Sequence, residues 1–313
     1  MSGALQMRFH FGERDRDGDG PLDAAVMDAC ARHGVRAAAL LRGVEGFGAK
    51  QLVRTERLLS LSEDTPLVAV AVGETGKVEA LAEEVRSIAA EGLLVLEEVG
   101  LVVAPEEDVV RATLWGPRTG AGSPHLRAVD ALYRHGADSA TVLLGVDGIL
   151  DGERRRARFV AGNRDVPALT VAVGERGPVT AALAELGPLA NLVTFETVEG
   201  NSVIVRGKLH TRVVLLTSEA AQCEHHPLYL EFIHALRREG ARGATALRGV
   251  WGFRGEVAPH GDRVLALRRD VPLIVETVDT AERAGRWLEI AESLVESPDL
   301  VYRQNLGRTF VLE

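Results

Sequence analysis

An α+β fold is predicted for this sequence, assembled from three tandem units of similar build, and three observations predict it. Each third of the chain opens a helix with a proline (Pro21, Pro124, Pro227) and closes it with a glycine (Gly34, Gly136, Gly240). Each then carries a Gly-Val-x-Gly signature: Gly43-Val44-Glu45-Gly46, Gly145-Val146-Asp147-Gly148 and Gly249-Val250-Trp251-Gly252. Each continues into an apolar run led by Asp-x-Pro, at Asp64-Thr65-Pro66, Asp165-Val166-Pro167 and Asp270-Val271-Pro272. These landmarks recur in one order at a shift of about 101 to 105 residues, which is the mark of a repeated structural unit.

The first unit shows the elements. Met7, Phe9 and Phe11 alternate with Arg8 and His10, the period of a half-buried strand. After Pro21, the residues Leu22, Ala25, Val26, Ala29 and Cys30 fall on one stripe, and Gly34 ends the helix. Val35 to Arg42 is an apolar strand that runs into the signature. A long polar excursion follows, then the Pro-led strand Leu67 to Val72. Val78, Leu81, Val85 and Ile88 mark a second helix, and Leu93 to Val103 a last strand. The order β-α-β-β-α-β is ferredoxin-like, with two helices on one face of a four-stranded antiparallel sheet.

The unit boundaries are expected at residues 1–104, 105–208 and 209–313. The joining segments, Ala104-Pro105-Glu106-Glu107-Asp108 and Arg206-Gly207-Lys208-Leu209-His210, are too short to let the units move independently. Their bare sheet faces are therefore expected to pack together as a single-chain pseudo-trimer, a closed ring with clefts between units where small ligands bind.

Composition narrows the function classes. The 313 residues are 46% hydrophobic, enough to fill such cores, but aromatics are scarce and Leu, Val and Ala must do the packing. A formal charge of -9 argues against a general nucleic-acid binder, which needs a basic face. Lys50, Lys77 and Lys208 are the lysines of the chain; the Arg excess is most simply a matter of base composition. With no apolar run of about 18 residues and no signal peptide before the first unit, a soluble, cytoplasmic protein is expected. Cys30 and Cys223 occupy unrelated positions of their units and form no disulfide framework.

The stretch Arg42-Gly43-Val44-Glu45-Gly46-Phe47-Gly48, followed by Leu59-Ser60-Leu61-Ser62-Glu63-Asp64-Thr65-Pro66, resembles the PII-like domain-of-unknown-function family 190. Leu247-Arg248-Gly249-Val250-Trp251-Gly252-Phe253 repeats it in the third unit. The resemblance covers essentially the whole chain as three tandem PII-like copies. It implies a sensor rather than an enzyme, with no required cofactor and an adenine nucleotide or other small anion as effector. PII proteins proper address a membrane transporter or an enzyme through a long loop, so the resemblance implies such a partner here. For family 190 itself the role is unassigned, so fold is implied more strongly than function.

Beside the resemblance, the residues suggest their own site. Gly43, Gly46 and Gly48 permit close backbone approach, so that amide groups converge on an anion, with Arg42 and Lys50 supplying charge; Arg248, Gly249 and Gly252 are their counterparts in the third unit. The bland alternative is that these glycines turn the chain and the arginines cap a strand end. PII proteins carry a second, basic phosphate loop before the last strand, whereas Ala90-Glu91-Gly92-Leu93-Leu94-Val95 has no base. The middle unit has Leu144 for the arginine and Ile149-Leu150 for Phe-Gly, so its cleft is expected to be silent and ligand stoichiometry to fall below three. Two metal readings are weaker. Asp15-Arg16-Asp17-Gly18-Asp19-Gly20 imitates a calcium loop but has Val26 where the bidentate Glu belongs. Cys223-Glu224-His225-His226, with His234 beyond, offers zinc or copper ligands that the other units lack. His33 and His135 precede helix-ending glycines, where a cation favours the dipole. What the units share is Gly, Pro and apolar residues, which points away from catalysis.

Overall fold

The computed structural model describes residues 4–18, 20–48, 53–55, 65–101, 104, 106–118, 123–158, 163–190, 192–198, 210–261, 270–296 and 299–312. The first stretch holds strands β1 (Ala4–Gly12), β2 (Ala37–Phe47), β3 (Pro66–Glu74) and β4 (Gly92–Leu101), with helices α1 (Leu22–Arg32) and α2 (Thr75–Ile88). The second holds β5 (Val109–Pro117), β6 (Ser139–Leu150), β7 (Pro167–Glu175) and β8 (Leu192–Thr197), with α3 (Pro124–His135) and α4 (Arg176–Glu185). The third holds β9 (His210–Ser218), β10 (Ala244–Arg248), β11 (Trp251–Arg254), β12 (Pro272–Thr280), β13 (Leu300–Asn305) and β14 (Arg308–Leu312), with α5 (Leu228–Arg238) and α6 (Ala281–Leu294). The glycines expected to end the first helix of each stretch, Gly34, Gly136 and Gly240, all take the left-handed conformation, with φ of 59, 82 and 78°.

Pairing is antiparallel throughout. β1 lies between β3 and β4, β5 between β7 and β8, and β9 between β12 and β13, while β2, β6 and β10 pair with β3, β7 and β12. The strands do not stop at these groups. β2 also pairs with β6, from Ala37↔Leu150 to Leu41↔Gly145, and β4 with β8 at Leu101↔Thr194 and Gly100↔Phe195. The circuit β2-β3-β1-β4-β8-β5-β7-β6 thereby closes into an eight-stranded antiparallel barrel. The third stretch is stitched onto it by β10 on β2, β11 on β6 and β14 on β4. Among the described residues seventeen strands, including Val53–Thr55, Glu153–Arg156 and Val257–Gly261, form one continuous sheet.

This corrects the predicted α+β assembly of three ferredoxin-like domains in a single-chain pseudo-trimer. The protein is a mostly-sheet fold around a closed barrel, with six helices among the described residues. The physical reason lies in strand edges. Separate four-stranded sheets would each leave unpaired N–H and C=O groups along two edges, and barrel closure pairs them with the neighbouring stretch. β2 makes this possible because it has 11 residues, long enough to serve β3 and β6 along one half and β10 along the other. The predicted boundary positions 105, 208 and 209 lie outside the described residues.

Closure also explains why strands such as β3 and β7 are apolar on both faces. Leu67, Ala69 and Ala71 of β3 pack under α1 and α2. The alternate residues Val68, Val70 and Val72 face an inner core shared with Leu169 and Val171 of β7, Val214 and Leu216 of β9, and Ile274 of β12. Two further cores lie under α3 with α4 and under α5 with α6. No helix among the described residues is long and apolar enough to cross a membrane.

Candidate functional site

The Gly-Val-x-Gly signatures lie within or beside strands that cross. A Cβ at Gly43 would stand 2.7 Å from Pro66 Cγ, and one at Gly46 would stand 2.5 Å from the Ala244 carbonyl oxygen of β10. Gly145 and Gly148 meet Pro167 in the same way, and Gly148 also meets the Ala38 carbonyl of β2. Gly249 packs on Thr141, and Gly252 on Pro272 and the Ala140 carbonyl of β6. The proline of each Asp-x-Pro thus sits on the signature glycines of its own stretch while a strand of another stretch passes over them. Both recurrent motifs are explained by one packing device. None of these glycines has positive φ.

Arg42 and Arg248 are engaged inside their own stretches. Arg42 forms an ion pair with Glu13, and Arg248 Nη2 donates to Glu219 Oε1 at 2.9 Å. Lys50 lies outside the described residues. In the middle stretch Asp147 accepts from Arg154 Nη2 at 2.6 Å, and Arg154 also reaches Asp28 of α1. The hairpin strand Glu153–Arg156 is thereby clamped onto the first stretch where the sequence predicts a silent cleft.

At the centre of the fold is a buried polar network that the sequence pattern does not announce. Gln6, Arg111 and Arg212 occupy one position on β1, β5 and β9, and stand opposite Glu97, Glu196 and Gln304 on β4, β8 and β13. Arg111 Nη1 donates to Glu196 Oε2 at 2.6 Å, as does Gln304 Nε2 at 3.0 Å, while Gln6 Nε2 donates to Glu196 Oε1 at 2.6 Å. Arg212 donates to Glu97 at 2.6 Å and to Gln304 at 2.9 Å, and Arg8 grips Glu276 through both carboxylate oxygens at 2.9 and 3.1 Å. Burial alone would raise Glu196, but Arg111 and Arg212 outweigh it and hold its carboxyl at about 2. Glu97 goes the other way: burial raises it, and Arg212 offsets only part of that.

The cavity lies beside this network, at the seam between the first and third stretches. It has a volume of about 440 Å³, within the usual range for small-molecule pockets. Its apolar wall includes Phe11, Phe47, Pro66, Leu93 and Val278; its polar groups are Asp15, Glu91, Thr245, Glu276, the histidines His10 and His210, and Arg242. Of the residues singled out from sequence, Gly48 lines it; Arg42, Gly43, Gly46, Arg248, Gly249 and Gly252 do not. Glu276 was legible in principle, since it interrupts an apolar Pro-led strand where the other two stretches have Val70 and Val171.

His10 is largely buried beside Glu276; its Nε2 has no hydrogen-bond partner among the described residues and lies 3.8 Å from Glu276 Oε1. Burial lowers its imidazole to about 4, against the opposing pull of Glu276. His125, at the start of α3, is lowered to about 4 by burial as well, and its Nδ1 lies 2.8 Å from Thr170 Oγ1. Below about pH 6.5 the unfolded chain binds protons that these folded histidines refuse, so stability falls as pH drops from about 6.5 to about 4. Urea titrations at about pH 7.5 and about pH 4.5 are expected to differ by roughly 2–3 kcal/mol for each histidine. His125→Phe should flatten the profile by one such step, and an unchanged slope would remove His125 from the account.

The metal readings receive no support from geometry. Among the described residues no group of three His, Cys, Asp or Glu side chains could hold an ion. Asp15 instead accepts from the Gly12 amide at 2.7 Å, and Cys223 pairs with His226 in a two-residue hairpin. Asp19 lies outside the described residues. His33 and His135 contact Glu84 and Glu185 of the second helices at 2.7 and 3.0 Å.

A family model for DUF190, described as an uncharacterized ACR, matches residues 4–101 and 210–306. A UPF0166 protein of Aquifex aeolicus (strain VF5) is 29% identical over 75 residues, which is 24% of this chain and 71% of the relative. Among solved structures, aspartate kinase from Synechocystis overlays 97% of this chain and 44% of its own at 8% identity and a TM-score of 0.31. The regulatory subunit of aspartate kinase from Thermus flavus overlays 60% of this chain and 94% of its own at 13% identity, with a TM-score of 0.25. Structural likeness at that level implies nothing about activity.

Proposed function

The chain belongs to the uncharacterized, PII-like DUF190 family, and on that premise we propose that it is a regulatory protein that binds one small molecule at the seam between its first and third stretches. The cavity of about 440 Å³ carries this reading. It is bounded by elements far apart in sequence: the ends of β1 and β2, the start of β4, the turn before β10, and the middle of β12. A ligand there bridges two parts of the sheet and binds the closed seam more tightly than an opened one. That differential affinity is what a sensor needs in order to report occupancy to a partner.

Stoichiometry follows from the same geometry. The position of Gly48 is taken by Leu150 in the second stretch and by Arg254 in the third, where Arg254 Nε donates to Asp299 at 2.9 Å and Nη2 to Ser218 at 3.0 Å. Leu150 packs against the inner core and Arg254 is held by its two partners, so one ligand per chain is expected.

A Cβ at Gly48 would meet nothing within 4 Å among the described residues, so Gly48→Phe is expected to fill the cavity. A thermal-shift screen with AMP and small carboxylates should raise the melting temperature of the wild type, by an amount growing with concentration over Kd. The same ligands should leave Gly48→Phe unmoved, and calorimetry should count one site. Equal shifts in both proteins would place binding elsewhere and overturn the reading.

A further inference from the structure

Resting on the seam as the binding site, we infer that its ligand is an amphipathic molecule with a flat apolar body and a single anionic group, and that polyphosphates are excluded. The charges lining the cavity decide this. Arg242 is the sole Arg or Lys among the described lining residues, against the carboxylates of Asp15, Glu91 and Glu276. Glu276 is compensated by Arg8. His10, lowered to about 4 by burial, is neutral near pH 7, and His210 is lowered by burial and by Arg242 beside it. One guanidinium fork matches one carboxylate or one phosphoryl group in bidentate fashion. Among the described lining residues a second or third phosphate would find no cation and would face the carboxylates across a low-dielectric wall.

The two ends of the cavity set the ligand's orientation. Arg242 is exposed and makes no ion pair among the described residues, so it is open to an anion arriving from solvent. His10 Nε2, without a hydrogen-bond partner among the described residues, offers the ligand a hydrogen bond at the inner end, because a buried polar atom left unpaired costs stability. Between them Phe47, Pro66 and Leu93 offer apolar surface to a flat body. The ligand therefore lies with its anionic group on Arg242 and with a hydrogen-bonding edge of its flat body toward His10.

Calorimetry with AMP, ATP and indole-3-acetate on the wild type, Arg242→Gln and Gly48→Phe tests this. AMP or indole-3-acetate should bind the wild type, at least about tenfold more tightly than ATP. Arg242→Gln should weaken the one-anion probe by about tenfold or more, with its melting temperature unchanged in the absence of probe. ATP binding as tightly as AMP, yet lost in Gly48→Phe, would overturn the ligand class and leave the seam site standing. Undiminished binding to Arg242→Gln with loss in Gly48→Phe would do the same. Failure of both one-anion probes to bind the wild type would overturn the ligand class. Binding of any probe that survives Gly48→Phe would overturn the site itself.

Discussion

Arg212→Met is expected to destabilise the protein by about 3–5 kcal/mol, the cost of breaking a buried ion network from one side. The Arg212 side chain is fully buried, and its guanidinium meets four partners from different strands: Glu97 on β4, Gln304 on β13, Glu196 at 3.6 Å and Glu276 at 3.7 Å. Methionine fills much of the same volume, so packing changes little while three buried carboxylates lose a shared counter-charge. Glu97 is the most exposed to that loss, because Arg212 is the cation holding it against burial. Adding Glu97→Gln in the Arg212→Met background should therefore restore at least half of the lost stability. Urea denaturation at neutral pH reads both. A single variant within about 1 kcal/mol of wild type would show that the network contributes little to stability.

Gly252→Ala, Gly148→Ala and Gly46→Ala are each expected to cost about 3 kcal/mol or more, the upper range for overpacking. At Gly148 the new methyl would stand 2.5 Å from Pro167 Cγ while also pressing on the Ala38 carbonyl, and at Gly46 it would meet the Ala244 carbonyl at 2.5 Å. Neither neighbour yields easily, because one is a proline ring and the other is backbone held in a strand pairing. Gly285 in α6 supplies the control. A Cβ there meets nothing within 4 Å, so Gly285→Ala should raise stability by about 0.5–1 kcal/mol. Loss at the control as large as at the signature positions would refute the crossing account.

These two predictions differ in how far the sequence announced them. The glycine and proline landmarks are visible as a repeat, but their packing role is not: they resemble a loop base, and in the fold they also make the contact of a proline ring and a crossing strand. Their partners, such as Ala244 for Gly46 and Ala140 for Gly252, are roughly 100 to 200 residues away, a separation over which local periodicity carries no information. The buried network was hidden for another reason. Arg111, Arg212 and Glu196 sit at strand positions that pattern reading assigns to a solvated face, and that face is the interior of the closed sheet. The cavity was half legible, through Gly48 just past the signature and through Glu276 as a charge in an otherwise apolar run.

The sequence by itself determined the helices, their closing glycines, the Pro-led strands and the order in which they follow one another. Those features are local, set by the alternation of apolar residues and by the φ that proline and glycine impose. Only the tertiary structure decided that the strand edges join across stretches into a barrel, that Arg42 and Arg248 are bound by Glu13 and Glu219, and that the open cavity lies where β2 meets β10 and β12. Edge pairing and ion pairing depend on which distant groups arrive within about 3 Å of each other, and that distance is a property of the closed fold.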